Sequence, residues 1–274
     1  MEPIRIDLND YVRTGEGANG ASYNHKTDSN IMMKMYFRNF EAAAKELELA
    51  KKVYDAGIPT PEPGDLVTDG ERIGIRFRRI EGKKSYSRAC GDNPEMTEVY
   101  AREFARLCKR LHAIHVDTTQ FENVKDRYYR LLKENPFFTP TEKDHIERFI
   151  ANIPDEDTAI HGDLQYSNAI FVGDQRYFID LGDFCWGNHL FDVAMVYVCC
   201  CLSDEAFIQE TFHMPKSLAI RFWQHFAPAY FGEDLPLKEI EEKVLPFAGL
   251  KTLIIERDTK QPMPEFRAAL TSIL

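Results

Sequence analysis

The pattern of hydrophobic and polar positions changes character about a third of the way along the chain. Between residues 4 and 36, short apolar or alternating pieces such as IRIDL, ASYNH and IMMKMY are separated by turn residues, which predicts strands joined by tight loops. Residues 39–56 are rich in Ala, Glu, Leu and Lys, and Gly57 with Pro59 follows them, which predicts a helix and its end. Residues 65–80 predict a hairpin. We therefore expect the first lobe to be small and rich in β-structure.

The rest of the chain has mainly helical periodicity. Residues 94–113 carry apolar side chains at helical spacing, and VKDRYYRLLKE and TEKDHIERFIANI predict two further helices. A short hairpin is predicted around GDQR, and the segment from Asp192 onward again predicts helices. We predict an α+β fold with an N-terminal lobe at residues 1–82 and a larger, mainly helical lobe at residues 83–274.

Composition narrows the classes of partner. The 274 residues carry a formal net charge of −10, whereas proteins that grip nucleic acid through its phosphates present a basic face, so we expect no nucleic-acid partner. The first residues lack a basic segment followed by an apolar one, and there is no apolar run of about 18 residues, so we expect neither a signal peptide nor a membrane span. These features predict a cytoplasmic protein.

The chain contains six cysteines. Three form the run Cys199–Cys201, which fits neither a disulfide framework nor the spacing of a metal site. The run lies in the apolar segment HLFDVAMVYVCCCLS, so we predict reduced cysteines packed as small hydrophobic residues in a buried helix.

The segment GEGANG places three glycines in a G-x-G-x-x-G pattern. The residues after it predict a hairpin strand and not a helix, which disfavours a dinucleotide-binding fold. A glycine-rich hairpin loop brings backbone N–H groups close to the phosphates of ATP in kinases, because glycine has no Cβ atom. The pattern alone is equally typical of a flexible hairpin tip. The hypothesis of a nucleotide loop includes Gly15, Gly17, Gly20 and the nearby Ser22.

Lys34 stands in the predicted strand IMMKMY, fourteen positions after Gly20. A lysine that alternates with two methionines usually lies on the solvated face of a strand, but behind a glycine loop such a cation reaches the α- and β-phosphates. The lysine then needs a carboxylate to hold it, since fixing its side chain costs about 2 kcal/mol of rotamer entropy. We predict Glu46 as that partner, with Glu48 as its rival.

The segment IHGDLQYSN contains Asp163 and Asn168 in a D-x-x-x-x-N spacing. Transfer of a phosphoryl group requires a carboxylate that orients the attacking hydroxyl and accepts its proton, and an oxygen ligand for Mg²⁺ close by. One short loop supplies both groups. We interpret Asp163 as the catalytic base, Asn168 as a metal ligand and His161 as a structural residue that holds the loop.

A second carboxylate follows at the end of an apolar strand. In YFIDLGD this residue is Asp180, seventeen positions after Asp163. A carboxylate delivered by a strand end suits Mg²⁺ ions that bridge the β- and γ-phosphate oxygens. The segment alone is also typical of a simple turn, but its spacing from Asp163, behind the glycine loop and Lys34, favours a metal ligand.

The segments HGDLQYSN and FIDLGDFCWGNHLFDVA resemble the aminoglycoside phosphotransferase and choline kinase-like family. The resemblance spans most of the chain and thins after Met195. It implies a protein-kinase-like bilobal fold that transfers the γ-phosphate of ATP or GTP, with Mg²⁺, to a hydroxyl of an aminoglycoside, a choline-like amino alcohol or a sugar. It also implies that Asp192 supports the catalytic loop and that adenine binds near residues 79–81.

Two departures bear on the kind of acceptor. Gly162 precedes Asp163 where protein kinases carry an arginine that pairs with a phosphorylated activation loop. Only twelve positions separate Asp180 from Asp192, which leaves no room for a long activation segment. A protein kinase is therefore disfavoured. A pseudokinase that binds nucleotide without turnover is also disfavoured, because the lysine, the aspartate and the asparagine are all present.

Aromatic residues flank the two catalytic segments. Tyr166, Phe184 and Trp186 fit a face for a quaternary ammonium group, with a cation–π contact of about 0.5–2 kcal/mol, although Phe184 and Trp186 fit the hydrophobic core as well. Acidic residues such as Asp183 fit the amino groups of an acceptor, but acidic surface residues are common. Our candidate acceptor residues are Tyr166, Asp183 and Trp186.

Overall fold

The structure is a computed structural model that describes residues 2–17, 20–36, 40–271 and 273–274. The chain forms two compact units, Met1–Lys84 with Ile170–Gly182, and Ser85–Ala169 with Asp183–Leu274. The first segment of the first unit ends at Lys84, whereas the predicted boundary follows residue 82. Residues Ile170–Gly182 group with the first unit, and Phe178 among them donates its backbone N–H to the carbonyl oxygen of Pro59 at 2.7 Å.

The first unit is built on a six-stranded sheet in the order β1–β5–β6–β4–β3–β2. Its strands are β1 Ile4–Arg5, β2 Tyr11–Gly17, β3 Gly20–His25, β4 Ile31–Tyr36, β5 Pro63–Thr68 and β6 Ile73–Arg78. Strand β1 runs parallel to β5, and the other neighbouring strands are antiparallel. Helix α1, Phe40–Asp55, packs on this sheet. The predicted strands ASYNH and IMMKMY, the hairpin and the single helix are confirmed, whereas the predicted strand IRIDL is a strand only at Ile4–Arg5, and β2 was not predicted.

Strand β4 is covered on both faces. Met33 and Met35 are buried on one side, whereas Tyr36 packs with Leu47 of α1 on the other. Successive side chains of a strand point to opposite faces. Lys34 therefore lies on the α1 side of the sheet. A lysine that alternates with apolar residues usually faces solvent, but here the face opposite the methionines is covered by a helix.

The second unit is mainly helical. The helices after α1 are α2 Tyr86–Asp92, α3 Thr97–His112, α4 Val124–Glu134, α5 Pro140–Asn152, α6 Leu190–Tyr197, α7 Glu205–Phe212, α8 Lys216–Phe231, α9 Leu237–Leu250, α10 Thr252–Thr259 and α11 Pro264–Arg267. Strands β8 Ala159–Ile160 and β11 Cys185–Trp186 of this unit pair with each other, whereas β7 Lys84–Ser85, β9 Ala169–Val172 and β10 Gln175–Phe178 form a sheet in the order β10–β9–β7, most of which belongs to the first unit. Within the described residues, no helix combines the length and the apolar character that crossing a membrane requires.

Aromatic side chains form much of the core of the second unit. The ring of Phe104 on α3 lies 5.9 Å and 5.5 Å, between centroids, from the rings of Phe222 and Phe226 on α8. Cys199 and Cys200 are buried free thiols, as predicted, whereas the third cysteine of the run, Cys201, is only partly buried. Their segment, Val198–Leu202, is however a π-helical turn that continues α6.

Candidate active site

Lys34 is a fixed cation on the α1 face of the first unit. Its Nζ lies 3.1 Å from Oε1 of Glu46 and 2.8 Å from Oδ1 of Asp180. The ammonium also lies 5.4 Å from the centroid of the Tyr36 ring. Burial lowers the pKa of Lys34, but the negative charges of Asp180 and Glu46 raise it further, so its pKa stands above the usual value. The amine is therefore charged at neutral pH.

Helical spacing explains why Glu46, and not Glu48, meets the lysine. Ala43 and Leu47 are buried against the sheet, and Glu46 lies on the same side of α1 because residues three and four apart share a helix face. Glu48 instead forms an ion pair with Lys52 at 2.7 Å, with most of its own side chain exposed. The predicted pairing of Lys34 with Glu46 is confirmed.

Asp180 has an unusual backbone. Its φ of +61° lies in the left-handed region, which aspartate tolerates better than most residues. The residue follows β10 and precedes a single 3₁₀ turn, Leu181–Asp183. About half of its side chain is exposed, so the carboxylate meets both Lys34 and solvent. Residues held in rare conformations cluster at functional sites.

The glycine segment forms the predicted hairpin between β2 and β3. Gly17 pairs with Gly20 across it, and Ser22 pairs with Lys34 on the next strand. A Cβ atom on Gly20 would lie 2.2 Å from the carbonyl oxygen of Met35, so the close approach of β4 itself requires glycine there. Gly15 has open space around it. The tip of the predicted nucleotide loop, residues 18–19, lies outside the described residues.

In the second unit, buried Asp192 holds the segment before Asp163. Its Oδ2 accepts the backbone N–H of His161 at 2.7 Å, and its Oδ1 accepts that of Gly162 at 2.9 Å. Nε2 of His112, the last residue of α3, lies 3.1 Å from Oδ2. Burial raises the pKa of Asp192, but the hydrogen bond to His112 and the nearby charges of His112, His161 and Lys251 lower it further, so its pKa stands below the usual value.

Gly162 is required by the geometry of this loop. Its φ is +87°, and a Cβ atom there would lie 2.0 Å from the carbonyl oxygen of Asp183. Arg127 on α4 donates from Nη1 to the same carbonyl oxygen at 2.7 Å, which fixes its position. The absence of the protein-kinase arginine at this position therefore has a local cause, because no side chain fits between the loop and Asp183.

Asp163 and Asn168 lie together, as their spacing predicts. Nδ2 of Asn168 is 3.1 Å from Oδ2 of Asp163 and 3.0 Å from its backbone oxygen. A third side chain joins them, since Nε2 of Gln165 is 2.8 Å from both carboxylate oxygens of Asp163. Sequence reasoning missed Gln165, because a glutamine in a polar loop carries no pattern that distinguishes it from a solvated one.

The candidate acceptor residues lie in three different environments. Tyr166 is completely buried, with its ring 4.5 Å and 5.0 Å between centroids from those of Phe212 and Phe222. The prediction that Tyr166 faces an acceptor is therefore wrong, because its ring is part of the hydrophobic core. Trp186 is partly buried and donates its indole N–H to a backbone carbonyl at 3.0 Å. The carboxylate of Asp183 is exposed.

Lys251, at the junction of α9 and α10, is a second functional candidate that sequence reasoning missed. It is only 1% exposed, and its Nζ lies 5.6 Å from the centroid of the Tyr128 ring. Burial lowers the pKa of Lys251, but Tyr128, Asp192 and Asp163 raise it further, so its pKa stands above the usual value. A buried cation thus interacts electrostatically with Asp163 of the loop and with Asp192 of α6. Its helical surroundings carry no signal of this burial.

A model of the phosphotransferase enzyme family matches residues 15–225 of the chain. The chain belongs to the phosphotransferase enzyme family. The matched range includes Lys34, Glu46, the loop from His161 to Asn168, Asp180 and Asp192. The predicted resemblance and the prediction of an enzyme of the small-molecule kinase kind are confirmed. A comparison with curated proteins found no match to this phosphotransferase.

Solved structures with the same fold include several kinases. An aminoglycoside phosphotransferase in a ternary complex with ADP and hygromycin B has a TM-score of 0.65 at 13% identity, over 96% of this chain and 94% of that one. Amicoumacin kinase in complex with AMP-PNP, Ca2+ and Ami has a TM-score of 0.59 at 13% identity, over 99% and 88%. A choline/ethanolamine kinase family protein from Mesorhizobium loti has a TM-score of 0.54 at 15% identity, over 96% and 84%. The predicted protein-kinase-like fold of this phosphotransferase is confirmed.

Gly162→Ala is expected to destabilise the protein, because the added Cβ atom would meet the carbonyl oxygen of Asp183. Gly57→Ala is a matched control, since Gly57 has a similar φ of +79° but open space around it. Only the left-handed backbone penalty of about 1–2 kcal/mol applies to the control. Urea unfolding should show a further loss of about 1–3 kcal/mol in Gly162→Ala, the usual cost of overpacking. Equal losses in the two variants would contradict the crowding.

The stability that Asp192 supplies should depend on pH. Because its pKa in the folded state is depressed, the unfolded chain binds the proton first, so this contribution is complete above about pH 5 and is lost as the pH falls below about 4. The difference in unfolding free energy between wild type and Asp192→Asn should therefore shrink between pH 7 and pH 3.5, by at most about 1.4 kcal/mol per pH unit. Exposed Asp174→Asn serves as the control. A difference that grows on acidification would contradict the expected sign.

Proposed function

We propose that this phosphotransferase moves the γ-phosphoryl group of ATP or GTP to a hydroxyl group of a small molecule, with Mg²⁺. The observation that carries the proposal is Lys34 held between Glu46 and Asp180. In kinases, a lysine–glutamate ion pair and a metal-binding aspartate must both be in place before a phosphoryl group is transferred. Here two carboxylates, those of Glu46 and Asp180, converge on the one ammonium group of Lys34.

The first unit would bind the nucleotide. Lys34 supplies a cation for the α- and β-phosphates, and its pairing with Glu46 leaves less rotamer freedom to lose when they arrive. The hairpin of β2 and β3, with Ser22 beside Lys34 on the sheet, would cover the phosphates. Two of the kinases that share the fold are complexes with AMP-PNP and with ADP, which supports a nucleotide as phosphoryl donor here.

Asp180 and Asn168 fit the ligands that Mg²⁺ takes. This cation binds oxygen atoms, usually from one or two protein side chains, with phosphates and water completing its coordination. Asp180 offers a half-exposed carboxylate. Asn168 directs its amide nitrogen to Asp163, which leaves its amide oxygen for a metal. When bound, the ion neutralises negative charge on the phosphate oxygens.

Asp163 would orient the acceptor hydroxyl and take its proton. An ionised carboxylate only accepts hydrogen bonds, so it holds an incoming O–H by its hydrogen. The O–H bond breaks as the hydroxyl oxygen bonds to the γ-phosphorus, and the proton passes to Asp163. The bond from the γ-phosphorus to the bridging oxygen breaks, and its electron pair leaves on the nucleoside diphosphate.

The acceptor would be an aminoglycoside, an amino alcohol such as choline, or a sugar. With Tyr166 in the core, the proposed aromatic face for a quaternary ammonium loses its nearest member on the catalytic loop. The carboxylate of Asp183 is exposed to an incoming amino group, although its Oδ1 also lies 3.6 Å from Nη1 of Arg127, and the −10 net charge of the chain favours a cationic molecule. We therefore place aminoglycosides and amino alcohols first in a substrate screen and neutral sugars second.

Asp163→Asn is the direct test of the reaction. The release of ADP or GDP is measured with Mg²⁺ over a panel of aminoglycosides, amino alcohols and sugars, and the active acceptor is then used for the variant. We expect kcat to fall about 10²- to 10⁴-fold, the usual contribution of a general base, because the amide cannot take the proton. Removal of the metal by EDTA should stop turnover, and added Mg²⁺ should restore it.

Two results would contradict this proposal. Full turnover by Asp163→Asn would remove the base from its role. The absence of turnover on every acceptor in the panel, combined with tight Mg²⁺-dependent nucleotide binding, would instead indicate a nucleotide-binding pseudokinase.

Glu46→Gln and Glu48→Gln form a matched pair on one helix. Glu46→Gln removes the charge that holds Lys34, and hydrogen bonds to charged groups contribute about 1.5–3 kcal/mol. We therefore expect it to raise the Kd for nucleotide by about tenfold or more, since 1.4 kcal/mol corresponds to a factor of ten. Glu48→Gln disturbs only an exposed pair with Lys52 and should leave the Kd unchanged. Equal effects in a fluorescence titration would contradict the assignment of Glu46.

A further inference from the structure

Arg127 of α4 binds the main chain just ahead of β11. Its Nη1 donates to the backbone carbonyl oxygen of Asp183 at 2.7 Å, and its Nε donates to Oε2 of Glu122 at 3.1 Å. Only 13% of its side chain is exposed. A guanidinium group is planar and donates in fixed directions, so contacts through two of its nitrogens fix its position. Arg127 is therefore a fixed donor to one main-chain atom.

The carbonyl oxygen that Arg127 binds also lies against the catalytic loop. A Cβ atom on Gly162 would be 2.0 Å from this oxygen, and Gly162 directly precedes the proposed base Asp163. The N–H of Gly162 is held by Asp192, so its nitrogen and its α-carbon each meet a different part of the chain. Closely packed groups transmit a displacement to their neighbours. Movement of the Asp183 carbonyl would therefore reach the residue ahead of Asp163.

The residues after Asp183 have attachments of their own. The ring of Phe184 lies 4.9 Å, between centroids, from a phenylalanine ring ahead of α4, and Cys185 and Trp186 pair with β8. These contacts hold residues 184–186 whether or not Arg127 is present. The hydrogen bond from Arg127 is directed instead to the last residue of the 3₁₀ turn, Asp183. Arg127 thus acts at the point where this turn meets Gly162.

Protein kinases hold the corresponding stretch in a different way. Their arginine before the catalytic aspartate pairs with a phosphorylated activation loop, so the contact exists only after modification. In this chain Gly162 stands at that position, and the arginine comes from α4. Its partner is a main-chain carbonyl oxygen, which needs no modification to be present.

We infer that Arg127 is a positioning residue of the phosphotransfer reaction, which fixes the Asp183 carbonyl against Gly162 by a permanent contact and so sets the course of the loop that carries Asp163. This inference rests on the proposed function, in which Asp163 faces the acceptor. Arg127 does not touch the reacting atoms, and its effect passes through Asp183 and Gly162.

The carbonyl of Asp183, and not its carboxylate, carries this role. Oδ1 of Asp183 lies 3.6 Å from Nη1 of Arg127, which is beyond hydrogen-bond distance, and 61% of its side chain is exposed. Replacement of the carboxylate by an amide should therefore leave the positioning contact in place.

Arg127→Met is the direct test, because methionine keeps an unbranched side chain and removes the donors. With an acceptor from the substrate screen, we expect kcat/KM for that acceptor to fall about ten- to a hundredfold, the range that hydrogen bonds to a charged group usually contribute. The Kd for nucleotide should stay at the wild-type value, since Lys34 and Glu46 belong to the first unit. Arg130→Met is the matched control and should keep both values, because Arg130 lies on the same helix and pairs with Glu122 at 2.7 Å from a more exposed position.

Amide hydrogen exchange supplies a readout that does not depend on turnover. In Arg127→Met the peptides that cover residues 181–186 and 160–166 should exchange faster than in the wild type, because the carbonyl that borders Gly162 is no longer held. A general loss of stability would instead raise exchange throughout the chain. Arg130→Met should show the wild-type pattern.

Asp183→Asn completes a double-mutant cycle. If Arg127 acts through the carbonyl, Arg127→Met should lower kcat/KM by the same factor, within about twofold, in the wild-type and the Asp183→Asn backgrounds. A loss that disappears in the Asp183→Asn background would overturn the inference, because Arg127 would then act on the carboxylate.

Wild-type kcat/KM in a folded Arg127→Met, or exchange that is unchanged or raised along the whole chain, would also overturn it. If Arg127→Met does not fold, Arg127→Lys and Glu122→Gln decide by the same measurements. Lysine keeps the charge without the planar group, and the amide of glutamine removes the charge that holds Nε.

The parallel measurement on Asp163→Asn separates this inference from the proposed function. If Asp163→Asn is inactive while Arg127→Met has wild-type kcat/KM, the positioning role is wrong and the base assignment stands. If Asp163→Asn is fully active, or no acceptor reacts, the proposed function fails and the positioning role fails with it.

Discussion

The catalytic loop depends on one buried carboxylate. Asp192 accepts hydrogen bonds from two consecutive backbone N–H groups, and a histidine from α3 meets the same group. A charge without such partners inside a protein is strongly unfavourable, so these contacts are as necessary to Asp192 as they are to the loop. The mutual requirement fixes the main chain ahead of Asp163. Everything that the loop presents to a substrate is built on that fixed segment.

In the first unit the charges are reversed: a partly buried cation, Lys34, is held by negatively charged side chains. Lys34 is surrounded by two carboxylates and an aromatic ring, and it stays charged although burial opposes the charge. The strand alternates so that the lysine faces α1, and the helix turns so that Glu46 faces the lysine. Side chains repeat every two residues along a strand and about every 3.6 residues along a helix. These two periodicities bring Lys34 and Glu46 together without any specialised loop.

The elements and the charged groups could be predicted from periodicity and spacing, because each depends on residues close in sequence. The choice between Glu46 and Glu48 could also have been made from the buried residues at positions 43 and 47, which place Glu46 on the inner face. Tyr166 and Lys251 could not be predicted, because their burial depends on helices more than forty positions away. The sequence shows that Gly162 stands where protein kinases carry an arginine. It does not show that a side chain at this position would meet the carbonyl oxygen of Asp183, because that contact depends on the path of the chain twenty-one residues later.

The hydrogen bonds from positions 161 and 162 to Asp192 come from main-chain N–H groups and not from side chains. The anchor itself therefore sets no requirement on the side chain at position 161 as long as the backbone keeps its course, whereas at position 162 the crowding against Asp183 still requires glycine. Kinases that share as little as 13% of their residues with this chain still superimpose on nearly its whole length. An anchor that holds backbone N–H groups constrains the course of the chain ahead of Asp163 and leaves the choice of side chain to other contacts, such as the crowding at Gly162.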